Sequence, residues 1–152
     1  MPPMTREQAD AFLRESRAHA VVATINKDGS PQLTPVWYHW DGKTLTFALQ
    51  ERTLKLRNLQ RDPRLTVMVH AEPNGDRYVV LRGRATIHRE DVQGWRRRIW
   101  GRYVGRKTIE KWLPQLSRPD QPMAVVRMVP EKVVGLDLPT MVELFAGGGP
   151  EG

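Results

Sequence analysis

The sequence predicts a mainly β protein, an antiparallel β-barrel carrying a few short helices. Three observations predict it. About seven segments show the two-residue alternation or the short apolar run of a strand. Turn signals, Asp28-Gly29, Asp41-Gly42 and Asn74-Gly75, sit between neighbouring segments. No rhythm of strand, helix, strand runs through the chain, which argues against a parallel sheet.

Residues 5–18 read as a helix. Thr5 and Gln8 have capping-box spacing, and Ala9, Phe12, Leu13 and Ser16 form a weakly apolar face. Three strands joined by tight turns follow, AVVATI (20–25), PQLTPVWYHW (31–40) and TLTFALQ (44–50), an antiparallel meander. Residues 52–61 form a short helix with Leu56 and Leu59 on one face, ended by Asp62-Pro63 because the residue before proline avoids helical backbone. Strands are expected at 65–71 and 78–89. In the second, Val79, Leu81, Ala85 and Ile87 point one way and Tyr78, Arg82, Arg84 and His88 the other. Residues 91–106 read as a helix with Val92, Trp95, Ile99 and Tyr103 as its buried stripe. A second helix at 108–113 is expected to stop at Pro114. The last strands are 123–129 and 132–138. Residues 1–140 are read as a single domain and 141–152 as a glycine-rich C-terminal tail, with AGGGPEG (146–152) disordered.

Composition narrows the chemistry. The 152 residues suit one domain, and the absence of cysteine removes disulfides, thiolate nucleophiles and Cys-ligated metals. A cysteine-free chain fits a reducing, cytoplasmic location. No apolar run reaches the roughly 18 residues of a membrane span, and the first residues lack the apolar core of a secretory signal. The net charge is +7, but residues 96–107 (RRRIWGRYVGRK) hold six basic residues and no acid. Without that segment 18 basic residues face 17 acidic ones.

No self-contained catalytic apparatus is visible. The serines lack a G-x-S-x-G elbow, and His19, His39, His70 and His88 lack zinc-site spacing, so no metal site is expected. Neither a P-loop nor G-x-G-x-x-G is present, so an enzyme built on this chain would take its reactive atom from a bound cofactor. Arg52, Lys55 and Asn58 line one face at or near a helix start, with Gln50 and Thr53 beside them. That pattern describes either a phosphate cradle or the solvated face of an amphipathic helix. Pro35 removes a ladder donor and makes its strand an edge or a bulge, and Trp37, Tyr38 and Trp40 are rings for a planar ligand, a core or a dimer interface. The 96–107 segment reads as a solvated face, as arginines reaching an anionic ligand, or as a nucleic-acid patch. No nucleic-acid motif accompanies it.

Several patterns then coincide in order: A-T-x-x-x-D-G-x-P-x-x-T-P-V-W (Ala23 to Trp37), the Asp41-Gly42 turn, R-T-x-K-x-x-N-L-x-R-D-P-R (Arg52 to Arg64) and Y-V-x-L-R-G-x-A (Tyr78 to Ala85). Over about residues 5–140 the chain resembles the pyridoxamine 5′-phosphate oxidase-like split β-barrel superfamily, and within it the flavin/deazaflavin oxidoreductases that use coenzyme F420. The resemblance implies an antiparallel split barrel of the FMN-binding type, homodimeric, with cofactor grooves at the subunit interface. It implies that Thr34, Pro35, Val36 and Trp37 lie against the cofactor ring and that Gln50, Arg52, Thr53, Lys55 and Asn58 hold its phosphate end. Tyr78 to Arg82 would contribute from the partner. The implied cofactor is F420, with FMN as the alternative, and the implied reaction is hydride transfer to a small unsaturated molecule. Solvent, Tyr38 or His39 is the candidate proton source. A non-catalytic cofactor carrier is a further alternative, and neither a membrane nor a nucleic-acid partner is expected.

Overall fold

The computed structural model describes residues 3–71, 76–116 and 118–138. The turn expected at Asn74-Gly75 and the C-terminal tail lie outside them. Helix α1 (Arg6–Glu15) begins with the expected capping box: the Gln8 amide donates to Thr5 Oγ1 at 3.1 Å and the Thr5 amide to Gln8 Oε1 at 2.8 Å. Then come β1 (Ala20–Ile25), β2 (Pro31–Val36), β3 (His39–Trp40), β4 (Leu45–Gln50) and α2 (Leu54–Arg61). The chain continues through β5 (Arg64–His70), β6 (Arg77–His88), α3 (Val92–Val104), α4 (Arg106–Leu116), β7 (Met123–Met128) and β8 (Lys132–Asp137).

All strand pairs are antiparallel, and the sheet order is β2-β1-β5-β6-β7-β4-β3, with β8 also on β6. The sheet curls into a half-barrel, the split antiparallel architecture expected. The long strand β6 joins its two parts. Residues 77–82 pair with β8 and residues 85–88 with β7. Gly83 sits between, where a Cβ would come within 3.1 Å of Met128 Cγ and the Val129 carbonyl. Inside lie Val22, Phe47, Leu56, Val67, Leu81 and Val126, each fully buried.

Two expectations are corrected. Residues 31–40 are not one strand. The β1–β2 ladder ends at Ala20 opposite Val36, and pairing resumes only at His39, on β4. Since β2 and β3 are the two outer strands of the sheet order, Trp37 and Tyr38 bridge its open seam. They leave the ladder because better partners exist: Tyr103 stacks on the Trp37 indole, and the core takes the Tyr38 ring. Nor does Pro114 stop its helix, which runs to Leu116. Pro114 sits one turn from the end and is exposed, so only the bond to the Glu110 carbonyl is forfeited. Ile109 and Leu113 are buried, and the Leu116 carbonyl accepts from Arg96 Nη2 at 3.1 Å.

Candidate cofactor site

The corner between β4 and α2 brings an uncapped helix start together with two cations in sequence. Thr53 is the N-cap of α2, yet its hydroxyl donates back to the Gln50 carbonyl at 2.9 Å and makes no cap bond. The first-turn amides of α2 therefore have no side-chain acceptor, and the first turn holds no acid. Arg52 is exposed and Lys55 half-buried, and among the described residues no carboxylate pairs with either. Burial pushes the Lys55 amine below its ordinary value. The neighbouring acid, Glu51, is held by Arg89 at 2.5 Å, and that hydrogen bond lowers its pKa. Uncapped amides beside two uncompensated cations fit a phosphate.

Asn58 has a different place. It is 0% exposed, and both hydrogens of Nδ2 are engaged, with Thr24 Oγ1 at 3.1 Å and Asn26 Oδ1 at 2.9 Å. Its oxygen accepts from Arg61 Nη2 at 3.1 Å. Asn58 thus locks α2 onto β1 and sets the height of the cradle without reaching it. Asn58→Ala leaves Thr24 and Asn26 without this donor, and a loss of about 2–3 kcal/mol is expected in urea unfolding.

Strand parity sorts the other expected residues. Val22, Val67 and Leu81 mark the inner face. Register places Pro35, Val21, Met68, Val80 and Val134 in one row on the outer face, with Leu33, Ala23, Thr66, Arg82 and Lys132 in the next. Continuing the registers of β1 by one residue adds a third row, Trp37, His19, His70, Tyr78 and Leu136. So Pro35, Trp37, Tyr78 and Arg82 share the outer face. Thr34 and Val36 point inward, and Val36 belongs to the core. Only their backbone can meet a ligand on the outer face. Thr34 Oγ1 is buried with no hydrogen-bond partner. Within the chain, Pro35, Trp37, Tyr78 and Arg82 therefore lie on the outer face and Gln50, Arg52, Thr53 and Lys55 at the β4–α2 corner.

Tyr38 and His39 fare poorly as proton sources. Tyr38 is 0% exposed, its hydroxyl donates to the Leu13 carbonyl at 2.8 Å, and burial raises its pKa. It is a core residue. His39 is half-buried, its Nδ1 is buried without a partner, and desolvation pushes its pKa down. A neutral imidazole is a weak acid.

Two cations of the basic segment, Arg96 and Arg102, turn inward, and the other four are exposed. Arg102 reaches the carbonyls of Leu13 at 2.8 Å, Arg14 at 3.2 Å and Ser16, and its guanidinium lies 4.4 Å from the Tyr38 ring centroid. It satisfies the C-terminal end of α1. Arg96 is 4% exposed and stacks on Trp100 at 4.2 Å. Arg97 pairs with Glu110 at 3.0 Å and Arg98 with Asp91 at 3.3 Å. Four of the six cations hold the α3–α4 hairpin and α1 in place. The sequence reading missed this, as it missed His19, which stands against Trp37.

An antiparallel half-barrel open between two edge strands, with a cationic, uncapped helix start at one corner, defines a split-barrel protein. The family model of pyridoxamine 5′-phosphate oxidase matches residues 5–137, and the chain belongs to that family. Among solved structures, a conserved hypothetical protein from Mycobacterium tuberculosis is 26% identical with a TM-score of 0.75, covering 91% of this chain and 88% of that one. An F420 reductase is 25% identical with a TM-score of 0.65, covering 80% of this chain and 92% of its own. A FAD-binding protein from Mesorhizobium loti, 23% identical with a TM-score of 0.63 and coverage of 88% and 95%, shares the fold. Among the described residues no cluster could hold a metal ion, and no helix is long and apolar enough to cross a membrane.

Proposed function

We propose that this chain is an F420-dependent oxidoreductase, which transfers a hydride from the reduced deazaflavin to a small unsaturated organic substrate. The observation that carries the reading is the corner cradle, where among the described residues Lys55 and Arg52 have no acid and the N-cap of α2 makes no side-chain bond to the helix. Arg52, Thr53, Lys55 and the α2 amides would hold the phosphate, with Gln50 beside them. A cleft of about 560 Å³ lies on α2 beside the β1–β2 turn, lined by Lys27, Arg57 and Arg61, three cations against the one acid Asp28. It suits an anion longer than a single phosphate and favours F420 over FMN. The likeness to an F420 reductase supports the same choice.

When bound, the reduced deazaflavin supplies the hydride. The residues of the chain orient and shield it: Pro35 and Trp37 present a flat surface, and Tyr78 and Arg82 lie on the same outer face. No side chain forms a covalent bond to substrate. With Tyr38 in the core and His39 desolvated, the proton for the other end of the reduced bond comes from solvent.

The working unit in this reading is a homodimer in the cytoplasm, with the cofactor between subunits. The apolar row Pro35, Val21, Met68, Val80 and Val134 supports it, because Val134 at 38% exposure, and Leu33 at 62% in the next row, leave apolar surface in water. A carboxylate in the middle of that row, Val80→Glu, is expected to give a folded monomer by analytical ultracentrifugation and to abolish cofactor binding. A monomeric wild type would remove the interface reading.

The direct test titrates the protein with F420 and FMN in parallel, following cofactor fluorescence. Micromolar F420 binding with weak FMN binding supports the proposal. Tight FMN binding alone makes the protein a flavoenzyme of the same family. F420 binding without turnover of any acceptor makes it a carrier.

A further inference from the structure

We propose that His19 is a positioning residue for Trp37, and that proton uptake by His19 releases the indole. The inference rests on the reading that Trp37 lies against the cofactor ring. Trp37 Nε1–H donates to His19 Nε2 at 3.0 Å. The two residues face each other at the end of the β1–β2 ladder, one step beyond Ala20 and Val36. Tyr103 stacks on the indole at 4.6 Å with 6° between the planes. The Tyr103 hydroxyl is itself anchored on the Ala18 carbonyl at 3.0 Å. One face of the indole is thus held, its edge is held by His19, and among the described residues no ring or cation covers the opposite face. This is a flat, pre-oriented surface for a planar ligand.

The edge contact depends on protonation. Nε2 accepts only when the His19 proton is on Nδ1. An imidazolium carries hydrogens on both nitrogens and cannot accept. Two donors would then face each other at 3.0 Å, and the indole must turn away. His19 is exposed, so protons reach it from solvent. The groups around it do not replace the lost acceptor. His70 stands beside it on β5 with Nδ1 toward the Ala71 carbonyl, and Tyr78 lies beyond on β6. Tyr103 faces it from α3 with the Arg102 guanidinium at 5.3 Å, and Arg17 precedes it in the chain. No carboxylate pairs with His19 or His70 among the described residues.

The test uses ¹⁵N-labelled full-length protein, with the Trp37 indole N–H resonance assigned by its loss in Trp37→Phe. It also measures the Kd for F420 and FMN from about pH 5 to 8, where a histidine changes charge. In the wild type the Trp37 resonance is expected to shift with one titration. The Kd of the bound cofactor should rise roughly three- to tenfold toward acid relative to His19→Gln, the range for one net hydrogen bond. His19→Gln keeps an acceptor at every pH, so its Trp37 resonance stays fixed and its Kd carries only the pH dependence of the ligand. His19→Leu, verified as folded by circular dichroism, should bind weakly at all pH values. A wild-type Trp37 resonance that ignores pH, or identical Kd profiles for wild type and His19→Gln, overturns the proposal. Failure of both cofactors to bind would instead overturn the functional reading, and the indole titration, which needs no ligand, would still decide the His19–Trp37 coupling.

Discussion

Removing both cations of the cradle, Arg52→Ala with Lys55→Ala, is expected to weaken F420 binding by roughly two to four orders of magnitude, taking about 1.5–3 kcal/mol for each charge-assisted contact. Two features favour a large effect. Lys55 is half-buried without an acid, so its charge is poorly solvated until an anion arrives. Glu51, the nearest acid in sequence, is occupied by Arg89 and cannot compensate. Stability should move little, because neither side chain makes a hydrogen bond or ion pair among the described residues. Isothermal titration calorimetry of the double variant checks the effect. An unchanged affinity would mean that α2 does not hold the phosphate. The single variants apportion the effect, and the partly desolvated Lys55 should cost more than the exposed Arg52.

Arg102→Met should be among the most destabilising changes on the surface of α3, by about 2–4 kcal/mol in urea unfolding. Methionine keeps an unbranched apolar stem but is shorter, and it supplies neither a donor nor the guanidinium that lies over the Tyr38 ring. The carbonyls of Leu13, Arg14 and Ser16 then lose their guanidinium, at the end of α1 where the helix dipole is negative. Arg106 and Lys107, at the start of α4, are exposed and have no such partners among the described residues, so Arg106→Ala and Lys107→Ala should stay within about 0.5 kcal/mol of the parent. If all three changes were equally mild, Arg102 would be a solvated surface charge, the reading that the composition of this segment suggests on its own.

The contrast shows where the sequence is legible. The Thr5/Gln8 box and the alternation of β6 rest on local spacing, and both are present as read. The cradle was visible as a pattern, because the residue types of a helix start do not depend on distant contacts. Three features needed tertiary information. Pro35 on an edge strand gives no hint that the strand will end at the next residue, since Trp37 leaves it for Tyr103, 66 positions away. The run of arginines looks like a solvated face until the carbonyls of Leu13, Arg14 and Ser16 and of Leu116 are brought to Arg102 and Arg96. His19 gains a role only from the register that sets it opposite Trp37. Parity also divides Thr34–Trp37, which the resemblance treats as one stretch, between two faces of the sheet.

Strand β6 bears on how the molecule comes apart. It bonds to β5 along 78–84, to β8 along 77–82 and to β7 along 85–88, so both parts of the sheet share one strand. Neither part can lose its pairing on β6 without exposing the other's edge. The described domain should therefore unfold as one cooperative unit, with calorimetric and van't Hoff enthalpies in agreement. The slowest-exchanging amides should lie in the middle of β6, near Val79 and Leu81, rather than in the α3–α4 hairpin.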